Sequence, residues 1–256
     1  MKKYPNRGSA LTIILVVVGV IIVGGILFTK LLLPQINKAV NTAIDTSVSN
    51  LNFENAQSFP VSQNLSQNKG MFLQMGINKG KIVIDGNSQS DVLAGEIKYL
   101  GAKPTFDYQI SPEGAAVFTV KSADQDGESV LLHLSQQTNG KIDIGLGAGS
   151  VDIDLTNLDI PLLNVGAGAG VVSVKFSNKA STTASLAAGV GKLNLSVYKG
   201  TGVKLKISQD FSNLNLGDSY EKVPDGYQTK GYDAAKVKVE LSIDQAAGGF
   251  SIREIE

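Results

Sequence analysis

The chain has 256 residues, of which 23 are basic and 23 acidic, so its formal net charge at pH 7 is zero. A neutral chain has no summed field that would attract a phosphate backbone, which argues against general nucleic-acid binding. With no Cys and a single His, thiolate zinc sites, iron–sulfur clusters and multi-histidine metal sites are excluded, and no cofactor is expected.

Residues 10–28 are predicted to form a transmembrane helix behind a short basic N-terminus at residues 1–9. The segment holds 19 consecutive residues without a charge, and a helix of about 20 apolar residues spans the ~30 Å hydrocarbon layer. A cleaved secretory signal would have an apolar stretch of only ~7–15 residues. Because Lys2, Lys3 and Arg7 precede the span, the positive-inside rule predicts a single-pass membrane protein with a cytoplasmic N-terminus and an extracytoplasmic C-terminal part.

A short stalk helix is predicted after the span, at residues 29–52. Apolar side chains recur at Ile36, Val40 and Ile44, which is the i, i+4 stripe of an amphipathic helix. Two interpretations stay open: a solvated stalk that lifts the folded part off the bilayer, or a helix through which copies of the chain associate. Residues 53–69, rich in Gln, Asn and Ser, are predicted to form a polar linker.

The segment from Met1 to Gly8 resembles the leader of type IV pilin-like proteins, in which a peptidase cuts after the glycine. The pilin-like family places a Glu five residues after the cut, whereas this chain has Ile13 there. The resemblance implies an alternative function, a filament or secretion-system subunit processed after Gly8.

Residues 70–256 are predicted to form one all-β domain. Apolar and polar residues alternate in short runs such as Ile82-Val83-Ile84 and the run from Val237 to Ile243, and Gly, Asn, Asp and Pro separate these runs. Such alternation is typical of strands with one buried face.

An internal repeat of 21 residues is the most informative feature of this domain. Three Gly-x-Gly pairs follow each other at this spacing: Gly147 and Gly149, Gly168 and Gly170, Gly189 and Gly191. Alternating apolar triplets obey the same spacing: Val151, Ile153 and Leu155, then Val172, Val174 and Phe176. This period predicts a right-handed single-stranded β-helix, a β-solenoid of about 21 residues per coil, in which the glycines form the corners between strands.

The ends of the domain are less regular. Residues 70–135 lack the 21-residue spacing, which favours irregular first coils or a sub-domain that caps the open end. Residues 217–231 are predicted to be a surface loop, followed by a last coil.

Three tyrosines on and beside that loop form the candidate partner-contact surface. Tyr220, Tyr227 and Tyr232 are spread along it, and Tyr is favoured at contact sites between proteins and their partners. The alternative is an ordinary loop that only covers the domain.

Two glycine-rich segments carry a family resemblance: Ile144-Gly-Leu-Gly-Ala-Gly-Ser-Val-Asp-Ile-Asp-Leu-Thr-Asn-Leu158 and Leu163-Asn-Val-Gly-Ala-Gly-Ala-Gly170. They resemble the toast-rack domain of the DUF2154 and DUF4097 type, which includes the C-terminal domain of LiaF-type cell-wall-stress proteins. The resemblance covers about residues 70–210 and implies an envelope-associated bacterial protein; some relatives modulate a two-component stress sensor. This chain has one predicted span, where LiaF-type proteins have several.

A group of four carboxylates, Asp143, Asp152, Asp154 and Asp159, gives a second alternative, a glycan-active β-helix enzyme. Because they alternate with apolar residues, these side chains are predicted to face outward, the side on which carbohydrate-cleaving β-helices hold their acid and base. On the 21-residue spacing, however, Asp154 lies over Lys175, which favours charge complementarity between coils. We therefore expect no catalytic residue in this group.

Three further motifs are predicted to be structural. The third glycine of G-x-G-x-x-G falls on Ser150 or Val171, so no phosphate-binding loop is expected. A calcium-binding repeat is disfavoured because the Asp152 position becomes Ser173 in the next coil. His133 lies in a strand without partners for a metal site.

Together these patterns predict a non-enzymatic module of the bacterial cell envelope that serves as a structural, adhesive or stress-response scaffold. Its expected contacts are the lipid bilayer through residues 10–28, another envelope protein or a cell-wall glycan, and further copies of itself through the stalk. No metal site and no catalytic residue are expected.

Overall fold

The computed structural model describes residues 52–64, 70–88, 91–124, 126–137, 139–208, 214 and 216–256. The predicted membrane span, the stalk helix and the cleavage site at Gly8 lie outside these residues. Within the described ranges, no helix is long and apolar enough to cross a bilayer.

The described part of the chain is all-β, as predicted, with thirteen strands in one large mixed sheet. The strands are β1 (Gln57–Asn64), β2 (Met71–Ser88), β3 (Asp91–Tyr99), β4 (Thr105–Ile110), β5 (Ala116–Lys121), β6 (Glu128–Ser135), β7 (Asn139–Asp154), β8 (Asp159–Lys175), β9 (Thr182–Tyr198), β10 (Gly202–Ile207), β11 (Tyr220–Val223), β12 (Gly226–Thr229) and β13 (Lys238–Ile255). A 3-10 turn at Tyr232–Ala234 precedes β13.

Five long strands form a parallel stack in the order β2, β7, β8, β9 and β13. Ile142 of β7 pairs with Leu163 of β8, which pairs in turn with Ala184 of β9. The 21-residue spacing predicted from the sequence is therefore confirmed as the register that joins β7, β8 and β9. Between β9 and β13 the offset is larger, and Ala184 pairs with Leu241.

Along each long strand, buried and exposed residues alternate, and this alternation shifts by one residue near the middle of the strand. In β7 the buried positions are even-numbered up to Leu146 and odd-numbered from Gly149 onward. Because the phase changes at the Gly-x-Gly pair, Ile144 in the first half and Ile153 in the second half both face the same hydrophobic core. The first half of β2 pairs with β5 and its second half with β6.

Antiparallel strands close the N-terminal end of the stack. β3 pairs with β6 and with β1, and β4 pairs with β5. Within residues 70–135, for which the sequence left two options, β2 belongs to the parallel stack, whereas β3 and β4 are antiparallel cap strands. β1 joins this cap from Gln57–Asn64, where the sequence predicted a polar linker, so that prediction is wrong over these residues.

At the other end, β10 pairs in parallel with β13 and carries the hairpin of β11 and β12. The prediction of a surface loop at residues 217–231 is thus wrong over Tyr220–Thr229. The two strands have only four residues each, too few for a clear alternation. Gly226, the first residue of β12, has φ 143° and lies against β10, where a Cβ would be 2.1 Å from the carbonyl oxygen of Leu205.

The repeated glycines allow neighbouring strands of the stack to approach closely. A Cβ at Gly170, where φ is 151°, would lie 1.9 Å from the carbonyl oxygen of Gly149, and one at Gly191 would lie 1.8 Å from that of Gly170. At Gly168 the corresponding distance to the carbonyl oxygen of Gly147 is 2.7 Å. No side chain fits at these distances without moving the backbone of the neighbouring strand.

Candidate functional site

Two rows of polar side chains run across the second halves of β7, β8, β9 and β13. Because Val151 and Ile153 face the core, the residues between them face outward, and the same holds in the strands paired with β7. The register aligns the two rows as Asp152, Ser173, Asn194 and Ser251, and as Asp154, Lys175, Ser196 and Arg253. We call these eight side chains the polar face.

Hydrogen bonds link neighbouring strands within both rows. Lys175 Nζ lies 3.3 Å from Asp154 Oδ2, and the ε nitrogen of Arg253 donates to the hydroxyl oxygen of Ser196 over 3.0 Å. In the other row the Ser251 hydroxyl donates to the side-chain oxygen of Asn194 over 3.1 Å. Cross-strand pairs of this kind fix the positions of the side chains as well as the register.

The ion pair on the polar face stays charged at neutral pH. Partial burial acts against ionisation of Asp154, but hydrogen bonds from the Thr156 hydroxyl and backbone, together with Lys175, outweigh it and lower the pKa of the carboxyl. For Lys175, partial burial is outweighed by interactions with Tyr198 and Asp154, and the pKa of the amine is raised. Neither group is therefore prepared to donate a proton as a general acid at neutral pH.

The polar face lines a shallow depression of about 450 Å³. Asp152 and Asp154 lie on the first of its four strands and Arg253 on the last. At ~4.8 Å between neighbouring strands, the two ends are about 14 Å apart. The depression is thus acidic at one end and basic at the other.

A second groove, of about 330 Å³, lies on the outward side of the first halves of β8, β9 and β13, beside β10. Its lining includes the small side chains of Thr183, Ser185 and Ser242 and the charged Lys204 and Glu240. The surface of this groove is more apolar than that of the polar face. We therefore take the polar face, with its denser set of hydrogen-bonding groups, as the candidate site.

The structure brings together only two of the four carboxylates singled out in the sequence. Asp152 and Asp154 share the polar face, whereas Asp143 lies on the first half of β7, where Lys141 Nζ is 2.7 Å away and the Asn164 amide donates over 2.5 Å. Asp159 accepts a hydrogen bond of 2.7 Å from Asn139. In the described residues, no three His, Asp or Glu side chains are grouped as metal ligands.

His133 makes one hydrogen-bonded pair across two strands. Its δ nitrogen lies 2.7 Å from a carboxylate oxygen of Asp85, and the two residues pair in the register of β6 and β2. The side chains are about one-third and one-quarter exposed.

The three tyrosines of the predicted contact surface pack inward. Tyr232 is buried, and its hydroxyl donates to a carboxylate oxygen of Glu240 over 2.8 Å; burial and this bond raise its pKa to about 12. Tyr220 and Tyr227 are half-buried and pack against the core. Burial, and then the charge of Glu254, raise the pKa of Tyr220, whose buried hydroxyl has no hydrogen-bond partner. These side chains do not form the exposed aromatic surface that the sequence predicted.

Two residues of interest were missed by the sequence reasoning. Arg253 joins the polar face through a pairing of β13 with β9 that spans 57 residues, so the 21-residue spacing could not identify it. Glu128 is 1% exposed, and both of its carboxyl oxygens are buried without a hydrogen-bond partner. Burial raises the pKa of Glu128, the Ser122 hydroxyl opposes this shift, and nearby Asp124 and Asp126 add to it.

Comparison with known proteins identifies one family. Residues 43–196 match the family model described as the N-terminal domain of toast_rack, DUF2154, which is more than half of the chain. No curated protein matches the sequence.

The fold is similar to that of a solved structure. A candidate cell adhesion protein from Clostridium sporogenes matches with a TM-score of 0.67 and 19% identity, over 78% of this chain and 100% of that chain. At this identity the likeness shows a common fold. A candidate adhesin from Bacteroides fragilis is more distant, with a TM-score of 0.26 and 10% identity over 79% of this chain and 98% of that chain.

Proposed function

The chain belongs to the toast-rack N-terminal domain family, DUF2154, and on that premise we propose that it is a membrane-anchored, non-enzymatic adhesion module of the bacterial cell envelope. The likeness to a candidate cell adhesion protein from Clostridium sporogenes, which spans all of that chain, supports adhesion.

The polar face is the observation that carries this proposal. Four neighbouring strands of one sheet hold its eight side chains, and cross-strand bonds such as those of Lys175 with Asp154 and Arg253 with Ser196 fix several of them. A rigid array of hydrogen-bonding groups on an outward sheet surface is suited to recognise an extended polar ligand.

A binding role is favoured over a hydrolytic one by the state of the carboxylates. Glycoside hydrolysis requires a carboxylic acid whose pKa is raised, opposite a second carboxylate. On the polar face the pKa of Asp154 is instead lowered. The depression is also partly open to solvent, so it lacks the enclosure that would exclude water from a reaction.

We also propose that the parallel stack is a β-solenoid whose coils turn at the repeated glycines. β7 has 16 residues and would extend over about 50 Å if straight. The four residues between β7 and β8 reach less than ~20 Å, yet Asp159 at the start of β8 pairs with Asn139 at the start of β7. The pairing therefore requires β7 to turn back on itself, as a solenoid coil does.

The anchor and the location of the module follow from the sequence. The uncharged segment at residues 10–28 provides one membrane span, and the basic residues before it favour a cytoplasmic N-terminus. The β domain would then lie outside the cytoplasm, where another envelope protein or a cell-wall glycan is available as a partner.

Binding of the full chain to purified cell-wall sacculi tests the proposal. The protein, kept in detergent micelles, is sedimented with sacculi, and the supernatant is assayed for released reducing ends. We expect co-sedimentation without release of sugars. Absence of co-sedimentation would refute adhesion to the wall, and release of sugars that is abolished by Asp152→Asn or Asp154→Asn would establish the hydrolytic alternative.

A further inference from the structure

Arg253 holds a positive charge that no acidic group of the described chain neutralises. It is the one Arg beyond residue 7, and it is exposed at the end of the polar face. Its ε nitrogen donates to Ser196, and none of the ion pairs among the described residues includes it. The hydrogen bond orients the guanidinium and leaves the terminal amino groups to bind an anion.

The opposite end of the polar face is acidic. Asp154 is paired with Lys175, so these two charges offset each other. Asp152 is exposed and makes no ion pair with a described residue. The face therefore has one uncompensated negative and one uncompensated positive charge, about 16 Å apart when the three strand spacings and the two-residue offset along the strand are combined.

Neutral hydrogen-bonding groups occupy the surface between the two charges. Ser173, Asn194 and Ser251 offer two hydroxyls and one amide, groups that donate and accept hydrogen bonds; the Ser251 proton is engaged with Asn194, so Ser251 offers a ligand its acceptor lone pairs. An extended ligand that crosses the strands would thus meet a carboxylate, then neutral polar groups, and finally a guanidinium.

From this arrangement we infer that the polar face binds a carboxylate-bearing saccharide, with Arg253 holding the carboxylate and Asp152 accepting sugar hydroxyls. The inference rests on the proposed adhesion function and names the class of its ligand. A guanidinium and a carboxylate form two parallel hydrogen bonds. A neutral saccharide would form no ion pair with Arg253, and a polyphosphate chain, which is charged along its whole length, would be repelled by Asp152 at the other end of the face.

Binding of a trisaccharide with one terminal glucuronic acid, and of its methyl ester, to the full chain in detergent micelles tests this inference. The two probes have the same sugar rings and differ only in the charge of that single carboxyl group, so the rest of the probe is neutral where it meets Asp152. We expect the acid form to bind at least tenfold more tightly, because a hydrogen bond between charged groups is lost in the ester. Calorimetric titration measures both affinities.

Three variants complete the experiment. Arg253→Gln is expected to lose about tenfold or more in affinity for the acid form, and Arg253→Lys, which keeps the charge but not the planar fork, to lose less. Lys199→Gln removes the same charge from an exposed turn outside the depression and is the matched control, with unchanged affinity. Thermal melting checks that all three variants fold like the parent.

Three outcomes would overturn the inference: equal affinity for acid and ester, unchanged affinity in Arg253→Gln, or an equal loss in Lys199→Gln. If the chain still binds sacculi in such a case, the adhesion proposal stands and only the ligand class is wrong. If the chain binds the acidic trisaccharide but not sacculi, the inference about the polar face holds and adhesion to the cell wall is refuted.

Discussion

Replacing Gly170 with Ala tests how much the stack depends on close approach of its backbones. The new Cβ would lie 1.9 Å from the carbonyl oxygen of Gly149 and 2.9 Å from its carbonyl carbon, whereas ordinary Cβ contacts begin at 3.4 Å. β7 and β8 would have to separate locally by about 1.5 Å. That movement would weaken the ladder hydrogen bonds on both sides of the glycine.

Two costs add to give the expected magnitude. A non-glycine residue at φ 151° costs about 1–3 kcal/mol, and forcing a methyl group against the backbone of a packed neighbour costs about 1–3 kcal/mol more. In a domain of this size each kcal/mol lowers the melting temperature by about 2–4 °C. We therefore expect Gly170→Ala to melt roughly 5–20 °C below the parent.

Circular dichroism melting of the full chain measures the effect, with Gly166→Ala as the matched control. Gly166 lies four residues earlier in β8, and a Cβ there would meet nothing within 4 Å. The control should change the free energy of unfolding by no more than about 0.5 kcal/mol. Equal melting temperatures for the two variants would refute the account of close backbone stacking at Gly170.

Three further substitutions address electrostatics. Burial raises the pKa of Glu128 in the folded protein, whereas in the unfolded chain the carboxyl ionises from about pH 4.5, so the parent loses stability as the pH rises from there through the folded pKa. Glu128→Gln should remove this dependence of the unfolding free energy on pH and stabilise the protein by about 1–3 kcal/mol at pH 7 in denaturant titrations. An unchanged pH dependence would contradict the assignment. Both side chains of the pair formed by Lys175 and Asp154 are more than a third exposed, so in thermal melts Lys175→Met should lower the free energy of unfolding by less than about 1 kcal/mol. A larger decrease would show that the pair is not an ordinary surface ion pair. Tyr232→Phe removes the hydrogen bond to Glu240 and should lower the free energy of unfolding by about 1 kcal/mol. In an ultraviolet pH titration of the variant, the tyrosine that ionises with a pKa of about 12 should be absent. If that ionisation is still seen, it belongs to another tyrosine.

The sequence was sufficient to predict the centre of the fold because β7, β8 and β9 carry equivalent residues at equal offsets. A slip of one residue would turn an entire apolar triplet such as Val151, Ile153 and Leu155 toward solvent. The pairing of Asp154 with Lys175 followed from the same spacing, and the structure confirms it.

Features that depend on long or irregular connections could not be predicted in this way. Arg253 reaches Ser196 only after the insertion that holds β10, β11 and β12, so no fixed period relates the two residues. The burial of Glu128 depends on antiparallel pairing with Tyr99 in the cap. The inward packing of Tyr232 depends on its contact with Glu240 in β13, which periodicity does not indicate.

Because β7, β8 and β9 share one register, a repeat can be removed or added as a unit, which shortens or lengthens the polar face by one strand. Excising residues 163–183 would place Ala184 beside Ile142, in the position that Leu163 now occupies, and each remaining pair would keep an equivalent partner. Asp152 and Arg253, the two uncompensated charges, would then lie on strands that are one step closer, by ~4.8 Å. Duplication of the same segment would move them apart by the same amount. The number of repeats thus sets the distance between these two charges, and under the proposed binding role it would also set the length of ligand that fits between them.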